Sequence, residues 1–123
     1  MKILYIEDNP AHVELTFRSL KTHEPEFDLQ TAPSIKEAFS LLESTEYDVI
    51  LCDHHLPDGS GLDVIKFARE RGILTAIVLI TNQEDTKTAV AALKAGAVDY
   101  VVKQSDYLYR LPIVLQNARS QTQ

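Results

Sequence analysis

One cysteine stands in 123 residues, so no internal disulfide can brace the chain. No run approaches the ~18 consecutive apolar residues of a membrane-spanning helix. The N-terminus, Met1-Lys2-Ile3-Leu4-Tyr5-Ile6-Glu7-Asp8, turns acidic too early for a secretory leader. Basic residues are scarce: 12 lysines and arginines face 18 aspartates and glutamates, a formal charge of −6. No cluster of them exceeds two neighbours. Broad nucleic-acid affinity comes from a basic surface, so direct nucleic-acid binding is not expected. No linker, repeat or low-complexity stretch divides the chain. The expectation is a single cytoplasmic domain over residues 1–123, without membrane attachment. Its composition, 45% apolar and 24% charged, is that of an ordinary globular chain with a core of its own.

What is present alternates. Ile3-Leu4-Tyr5-Ile6, Val49-Ile50-Leu51-Cys52, Ala76-Ile77-Val78-Leu79-Ile80 and Val98-Asp99-Tyr100-Val101-Val102 are short apolar runs. Runs of this kind fit parallel strands covered on both faces. Phe27-Asp28-Leu29-Gln30-Thr31-Ala32 alternates apolar and polar, as an edge strand does. Helical signals lie between the runs. Asn9-Pro10 suits an N-cap followed by proline, ahead of Val13, Phe17 and Leu20 on one face. Ser34 and Glu37 read as a capping box before Ile35, Ala38, Phe39 and Leu42. Ser60 caps a third helix carrying Leu62, Ile65 and Ala68, with Gly72 as its stop. Glu84 and Asp85 favour the dipole at the start of a fourth, which carries Ala89, Val90 and Leu93 and ends near Gly96. The fifth holds Leu111, Val114, Leu115 and Ala118. Pro112 costs ~3 kcal/mol deep in a helix, so that helix is expected to begin close to Leu111–Pro112.

The order βαβαβαβαβα predicts an α/β fold: a flavodoxin-like five-stranded parallel sheet, strand order 2-1-3-4-5, with helices on both faces. Ligands of such sheets bind beyond the carboxyl ends of the strands. The residues there are Glu7 and Asp8 after the first run, Asp53 after the third, Thr81 after the fourth and Lys103 after the fifth. Singly, each has a plain structural explanation: a cap, a turn or a solvated charge. Together, three carboxylates against one ammonium leave a site at −2. Crowded carboxylates share a proton or hold a cation, and oxygen ligands suit a hard ion such as Mg²⁺. Mg²⁺ commonly bridges carboxylates to a phosphate, with Lys103 and Thr81 placed to take the remaining phosphoryl oxygens. Asp53 is then a candidate nucleophile.

These residues carry a resemblance that covers essentially the whole chain. Glu7-Asp8, the segment Asp53-His54-His55-Leu56-Pro57-Asp58-Gly59-Ser60-Gly61, Thr81 and Lys103 resemble the receiver domain of two-component response regulators. The resemblance implies a phosphorylation-dependent switch rather than a dedicated enzyme, one that helps catalyse its own phosphorylation and dephosphorylation. Asp53 would accept a phosphoryl group from a phosphohistidine on a sensor histidine kinase or histidine phosphotransfer protein. Asp8, Asp53 and the backbone carbonyl of His55 would bind Mg²⁺, with Glu7 acting through water. Lys103 would pair with the phosphoryl group and Thr81 would move to bond it. Tyr100 would follow as the switch aromatic and change the surface of helix 4, strand 5 and helix 5. That surface would serve an output domain, a target protein or a homodimer. The chain is expected to be either a stand-alone receiver or an N-terminal piece of a longer protein.

Departures from the pattern matter too. Gln104 follows Lys103 where the family usually has a cis proline, so a trans bond or an altered loop is expected. Asn82 follows Thr81 where small residues are commoner, and His55 lies two residues after Asp53. Both are expected at the rim, tuning the lifetime of the phosphorylated state: Asn82 by shielding, His55 by orienting water when neutral. Two rivals share the chemistry, a magnesium-dependent phosphatase and a receiver-like module that is never phosphorylated. The phosphatase lacks its second acid, since His55 stands there. Cys52 reads as a small core residue, and His54-His55 as a poor zinc pair because neighbours in extended chain diverge. Tyr107 and Tyr109 fit either a partner surface or half-exposed packing.

Overall fold

The structure is a computed structural model that describes residues 1–82, 86–104 and 106–121. Five strands form one parallel sheet: β1 (Lys2–Ile6), β2 (Asp28–Ala32), β3 (Val49–Asp53), β4 (Ala76–Thr81) and β5 (Asp99–Val102). Their spatial order is β2-β1-β3-β4-β5, the 2-1-3-4-5 order expected. The helices are α1 (Pro10–His23), α2 (Ile35–Ser44), α3 (Gly61–Glu70), α4 (Thr86–Ala95) and α5 (Tyr107–Ser120). A short antiparallel ladder pairs His55–Leu56 with Gly59–Ser60 between β3 and α3. Strand ends fall within about one residue of the apolar runs; Phe27 and Val98 lie just outside.

The period-2 alternation of the strands divides the core. Leu4, Ile6, Ile50, Cys52, Ile77 and Leu79 face one way, against α2, α3 and α4. Ile3, Tyr5, Val49, Leu51, Val78 and Ile80 face the other, against α1 and α5. All are fully buried, which is why these strands read as continuous apolar runs. Cys52 is one of these core residues, and burial pushes its thiol up. In-register pairing of Ile6 with Cys52, Asp53 with Ile80 and Thr81 with Val102 brings the strand ends to one edge.

Three helix starts follow the sequence signals. The Asn9 carboxamide accepts from Ala11 N at 2.9 Å, with Pro10 at the first turn. The Ser34 hydroxyl accepts from Glu37 N. Ser60 and Asp63 make a reciprocal capping box on α3. The start of α2 has a second partner that local reading misses. Asp58, in the loop after β3, accepts from Ile35 N at 2.9 Å and Lys36 N at 3.0 Å. Those two amides have no intrahelical acceptor. At the far end of the sheet Arg69 gathers the carbonyls of Ile73, Thr75 and Gly96, tying the end of α3 to that of α4.

Some expectations fail. Phe17 is exposed, not core; Thr16 takes the inward position, its hydroxyl donating to the buried Tyr5 hydroxyl. A polar residue inside defeats a count of apolar spacing. On α4, Ala89 and Ala92 face the sheet while Val90 and Leu93 are exposed, because the small alanines let the helix sit close. Glu84 and Asp85, expected at its start, lie outside the described residues. The helix expected from Leu111–Pro112 begins at Tyr107, leaving Pro112 inside it; Ser105 lies outside the described residues. Pro112 has no N–H for the carbonyl of Leu108, four residues back. The Ser19 hydroxyl of α1 donates to that carbonyl at 3.2 Å, which supplies the missing bond from another helix. Tyr107, the first residue of α5, is half-buried against the core, whereas Tyr109 is exposed and meets His23 edge-on.

Two stability predictions follow from these contacts. Ser19→Ala should cost about 1 kcal/mol in urea unfolding, by orphaning the Leu108 carbonyl. In a Pro112→Ala background, where the backbone N–H returns, that cost should shrink by more than half; an unchanged cost would refute the rescue. Asp58→Ala should cost about 1 kcal/mol at pH 7 as a lost helix cap. Its carboxyl is held below the usual range by the Ile35 amide, against desolvation, and further by the Lys36 amide. A depressed folded-state pKa gives stability that is present above the unfolded value of about 3.9 and lost as pH falls through the folded one. The difference between wild type and variant should therefore narrow on moving from pH 7 toward pH 3.

Candidate functional site

The pocket at the carboxyl edge of the sheet is lined by Glu7, Asp8, Asn9, His12, Asp53, His55, Leu56, Pro57, Asn82 and Lys103, and encloses about 320 Å³. Asp53 ends β3 and is 3% exposed. One carboxylate oxygen, Oδ1, accepts from His55 N at 3.0 Å; the other, Oδ2, accepts from Lys103 Nζ at 2.8 Å. Glu7, just past β1, is also buried. Its Oε1 lies 3.1 Å from Lys103 Nζ, and its Oε2 accepts from Asp8 N at 3.1 Å. The Tyr5 hydroxyl reaches Oε1 from below at 3.5 Å.

Lys103 owes its place to β5. Its backbone N donates to Thr81 O, so the stem starts at the sheet edge and runs across to β3 and β1. The Lys103–Gln104 bond is trans, and no cis peptide occurs among the described residues. The loop after β3 is held closely. Gly61 N donates to His54 O, and a Cβ on Gly61 would stand 2.9 Å from the Asp53 carbonyl. Only glycine lets α3 begin so near the strand end. Gly59 takes φ +153°.

Burial and charge oppose each other here. Burial works to raise the Asp53 carboxyl, but the Lys103 ammonium, Glu7 and the His55 amide together hold it below the ordinary range. Glu7 is pushed up, first by burial and then by Asp53. Burial works against the charge on Lys103, yet Asp53 and Glu7 raise it overall. With three carboxylates and one ammonium around it, the pocket suits a hard cation bound through oxygen.

The expected site residues are placed in different ways. Glu7, Asp53 and Lys103 form one bonded cluster. Asp8 lines the pocket but is exposed. His55 and Asn82 are both exposed and both line the rim. Thr81 is buried at the end of β4, and Tyr100 is 37% exposed on β5. Sequence reasoning missed His12. Its Nδ1 lies 2.9 Å from Glu7 Oε1 and 3.0 Å from Lys103 Nζ. Glu7, His12 and Asp53 are the group of candidate ion-holding side chains that comes together among the described residues. The one available signal was its place in the first turn after the Asn9 cap, three residues on.

Comparison with known proteins agrees with this geometry. The family model described as the response regulator receiver domain matches residues 3–108. The chain is 37% identical over 108 residues to the response regulator protein PilR of Pseudomonas aeruginosa, covering 85% of this chain and 23% of that protein. It is 30% identical to the cell cycle transcriptional regulator CtrA of Caulobacter vibrioides, over all of this chain and 54% of that one. The chain thus spans between about a quarter and half of the length of such relatives. The signal receiver domain of a Luxo repressor protein from Vibrio parahaemolyticus superposes with a TM-score of 0.90 at 25% identity, covering 98% of this chain and 91% of that one. From β1 to the start of α5, the chain belongs to the response regulator receiver family.

Proposed function

We propose that Asp53 is the phosphoacceptor of this receiver. The observation that carries the reading is its buried carboxylate, with one oxygen on the His55 amide and the other on the Lys103 ammonium. That arrangement keeps the carboxylate ionised and oriented, as a nucleophile requires. An oxygen of Asp53 attacks phosphorus on a partner phosphohistidine. The new P–O bond forms as the P–N bond breaks, and the electron pair returns to the imidazole of the partner. Lys103 stabilises the charge on the phosphoryl oxygens. The oxygen-rich pocket fits Mg²⁺, which Asp8, Asp53 and the His55 carbonyl would hold with Glu7 nearby; it would supply positive charge to the phosphoryl group.

The phosphoryl group replaces one carboxylate charge by roughly −2 and adds strong acceptors. Thr81, buried at the end of β4, moves to donate its hydroxyl. Tyr100, outward in this structure, turns into the space that Thr81 leaves. The change reaches α4, β5 and α5, where Val90 and Leu93 already lie exposed. The partners are a sensor histidine kinase or histidine phosphotransfer protein upstream, and an output domain, a target or a second copy through α4-β5-α5 downstream. Among the described residues no helix is long and apolar enough to cross a membrane. His55 and Asn82, on the rim, set how readily water reaches phospho-Asp53 in line.

Incubation with acetyl phosphate and Mg²⁺, followed by intact mass, tests the assignment. Wild type should gain a phosphoryl group and Asp53→Asn should not, with its fold unchanged. Rapid turnover without mass gain would point to a phosphatase, and no change at all to a module that is never phosphorylated. Asp8→Asn should weaken Mg²⁺ binding in calorimetry. Asn82→Ala should shorten the phospho-Asp53 lifetime several-fold, about 1 kcal/mol in the barrier, because it opens the path of the attacking water. An equal or longer lifetime would sink the shielding role.

A further inference from the structure

His12 is the one side chain in the pocket whose chemistry the reading above leaves unused. Its ring is anchored from a rigid base. The Asn9 cap and Pro10 fix the first turn of α1, and His12 sits in that turn. From there Nδ1 meets two members of the buried charge cluster at once. Glu7 Oε1, His12 Nδ1 and Lys103 Nζ form a nearly equilateral triangle with sides of 2.9, 3.0 and 3.1 Å. Lys103 Nζ then continues to Asp53 Oδ2 at 2.8 Å. The side-chain exposures rank 36% for His12, 9% for Lys103 and 1% for Glu7, so the imidazole is the member of the triangle that meets solvent.

A lysine ammonium on a four-carbon stem has much rotamer freedom to lose, and water at the rim competes for its N–H groups. Asp53 alone cannot hold it through the reaction, because an Asp53 oxygen becomes the bridging oxygen of the phosphate. Glu7 and His12 also contact the ammonium and remain unchanged by the chemistry. We propose that His12 is a positioning residue of the phosphoryl site: Nδ1, which lies close to both Glu7 and Lys103, accepts from the Lys103 ammonium and holds it beside Asp53 before the phosphoryl group arrives. The inference rests on the assignment of Asp53 above and extends it to a residue on α1.

The variants His12→Leu and His12→Asn separate this role from packing. Leucine keeps bulk but has no polar atom. The asparagine amide places an oxygen and a nitrogen near the position of Nδ1, so it can bond either neighbour. With acetyl phosphate at saturating Mg²⁺, His12→Leu should lower the maximal phosphorylation rate about five-fold or more. Its half-saturating Mg²⁺ concentration should stay close to wild type. His12→Asn should recover most of the rate. Thermal midpoints of both variants near wild type would exclude a folding defect. A second readout needs no phosphorylation: ¹⁵N NMR of the lysine ammonium groups at low temperature. A slowly exchanging Lys103 signal, assigned with Lys103→Arg, should appear in wild type and His12→Asn and vanish in His12→Leu. The proposal is overturned if His12→Leu reacts at the wild-type rate, if asparagine is as slow as leucine, or if the Lys103 signal is the same in all three. If wild type takes up no phosphoryl group, the assignment of Asp53 fails, and the ammonium signal still decides the role of His12.

Discussion

Two carboxyl groups, Glu7 and Asp53, are buried against a single ammonium, Lys103. Taking three ionisable groups out of water costs several kcal/mol per charge, and only close, well-bonded geometry offsets it. Much of the fold serves that geometry. The in-register parallel sheet brings β1, β3 and β5 to a common edge, so the three groups arrive from three strands. The buried strands beneath leave little room for displacement. The cluster is also unbalanced, with two carboxyls to one ammonium. Glu7 answers the imbalance by rising toward the protonated form through burial and the nearness of Asp53. A site with this deficit of positive charge is poised for a cation or for the redistribution of charge that phosphorylation brings.

Strand-end residues were legible in the sequence because a parallel sheet has a simple rule: chemistry collects beyond the carboxyl ends of apolar runs. Glu7, Asp8, Asp53, Thr81 and Lys103 needed only that rule to be placed. The sheet order followed from the alternation of elements and the handedness of crossovers. The family resemblance then gave those residues roles that spacing alone does not supply. His12 had no comparable signal. It sits in a helix whose apolar positions set the pattern, and a polar residue beside them looks like any solvated position.

The failures share a cause: each was decided by a contact distant in sequence. Pro112 reads locally as a helix start, but Ser19, 89 residues from Leu108, supplies the bond that lets α5 begin earlier. Phe17 reads as core by spacing, but the Tyr5 hydroxyl gives Thr16 a buried partner, and the helix turns accordingly. Val90 and Leu93 read as core by hydrophobicity, but Ala89 and Ala92 permit the closer approach of α4. Asp58 looks like a turn residue and is that, yet it also caps a helix 23 residues upstream.

Several tethers hold the β3 side of the site, and the proposed switch makes use of them. On the β3 side, Asp58 ties the loop to α2, Gly61 brings α3 against the Asp53 carbonyl, and the Ser60–Asp63 box fixes the start of α3. A loop held at three points keeps the acceptor carboxylate where it is when its charge changes. On the other side stand Thr81 and the outward Tyr100, with Val90 and Leu93 exposed beyond them. A local charge change becomes a signal only if one side of the site yields while the other stays. With the acceptor loop braced, the free energy of new phosphoryl bonds is directed to the β4–β5 side. A coupling of about 1–3 kcal/mol is enough to shift the population of a two-state surface there. On the proposed reading, the bracing of β3 is therefore part of the signalling device.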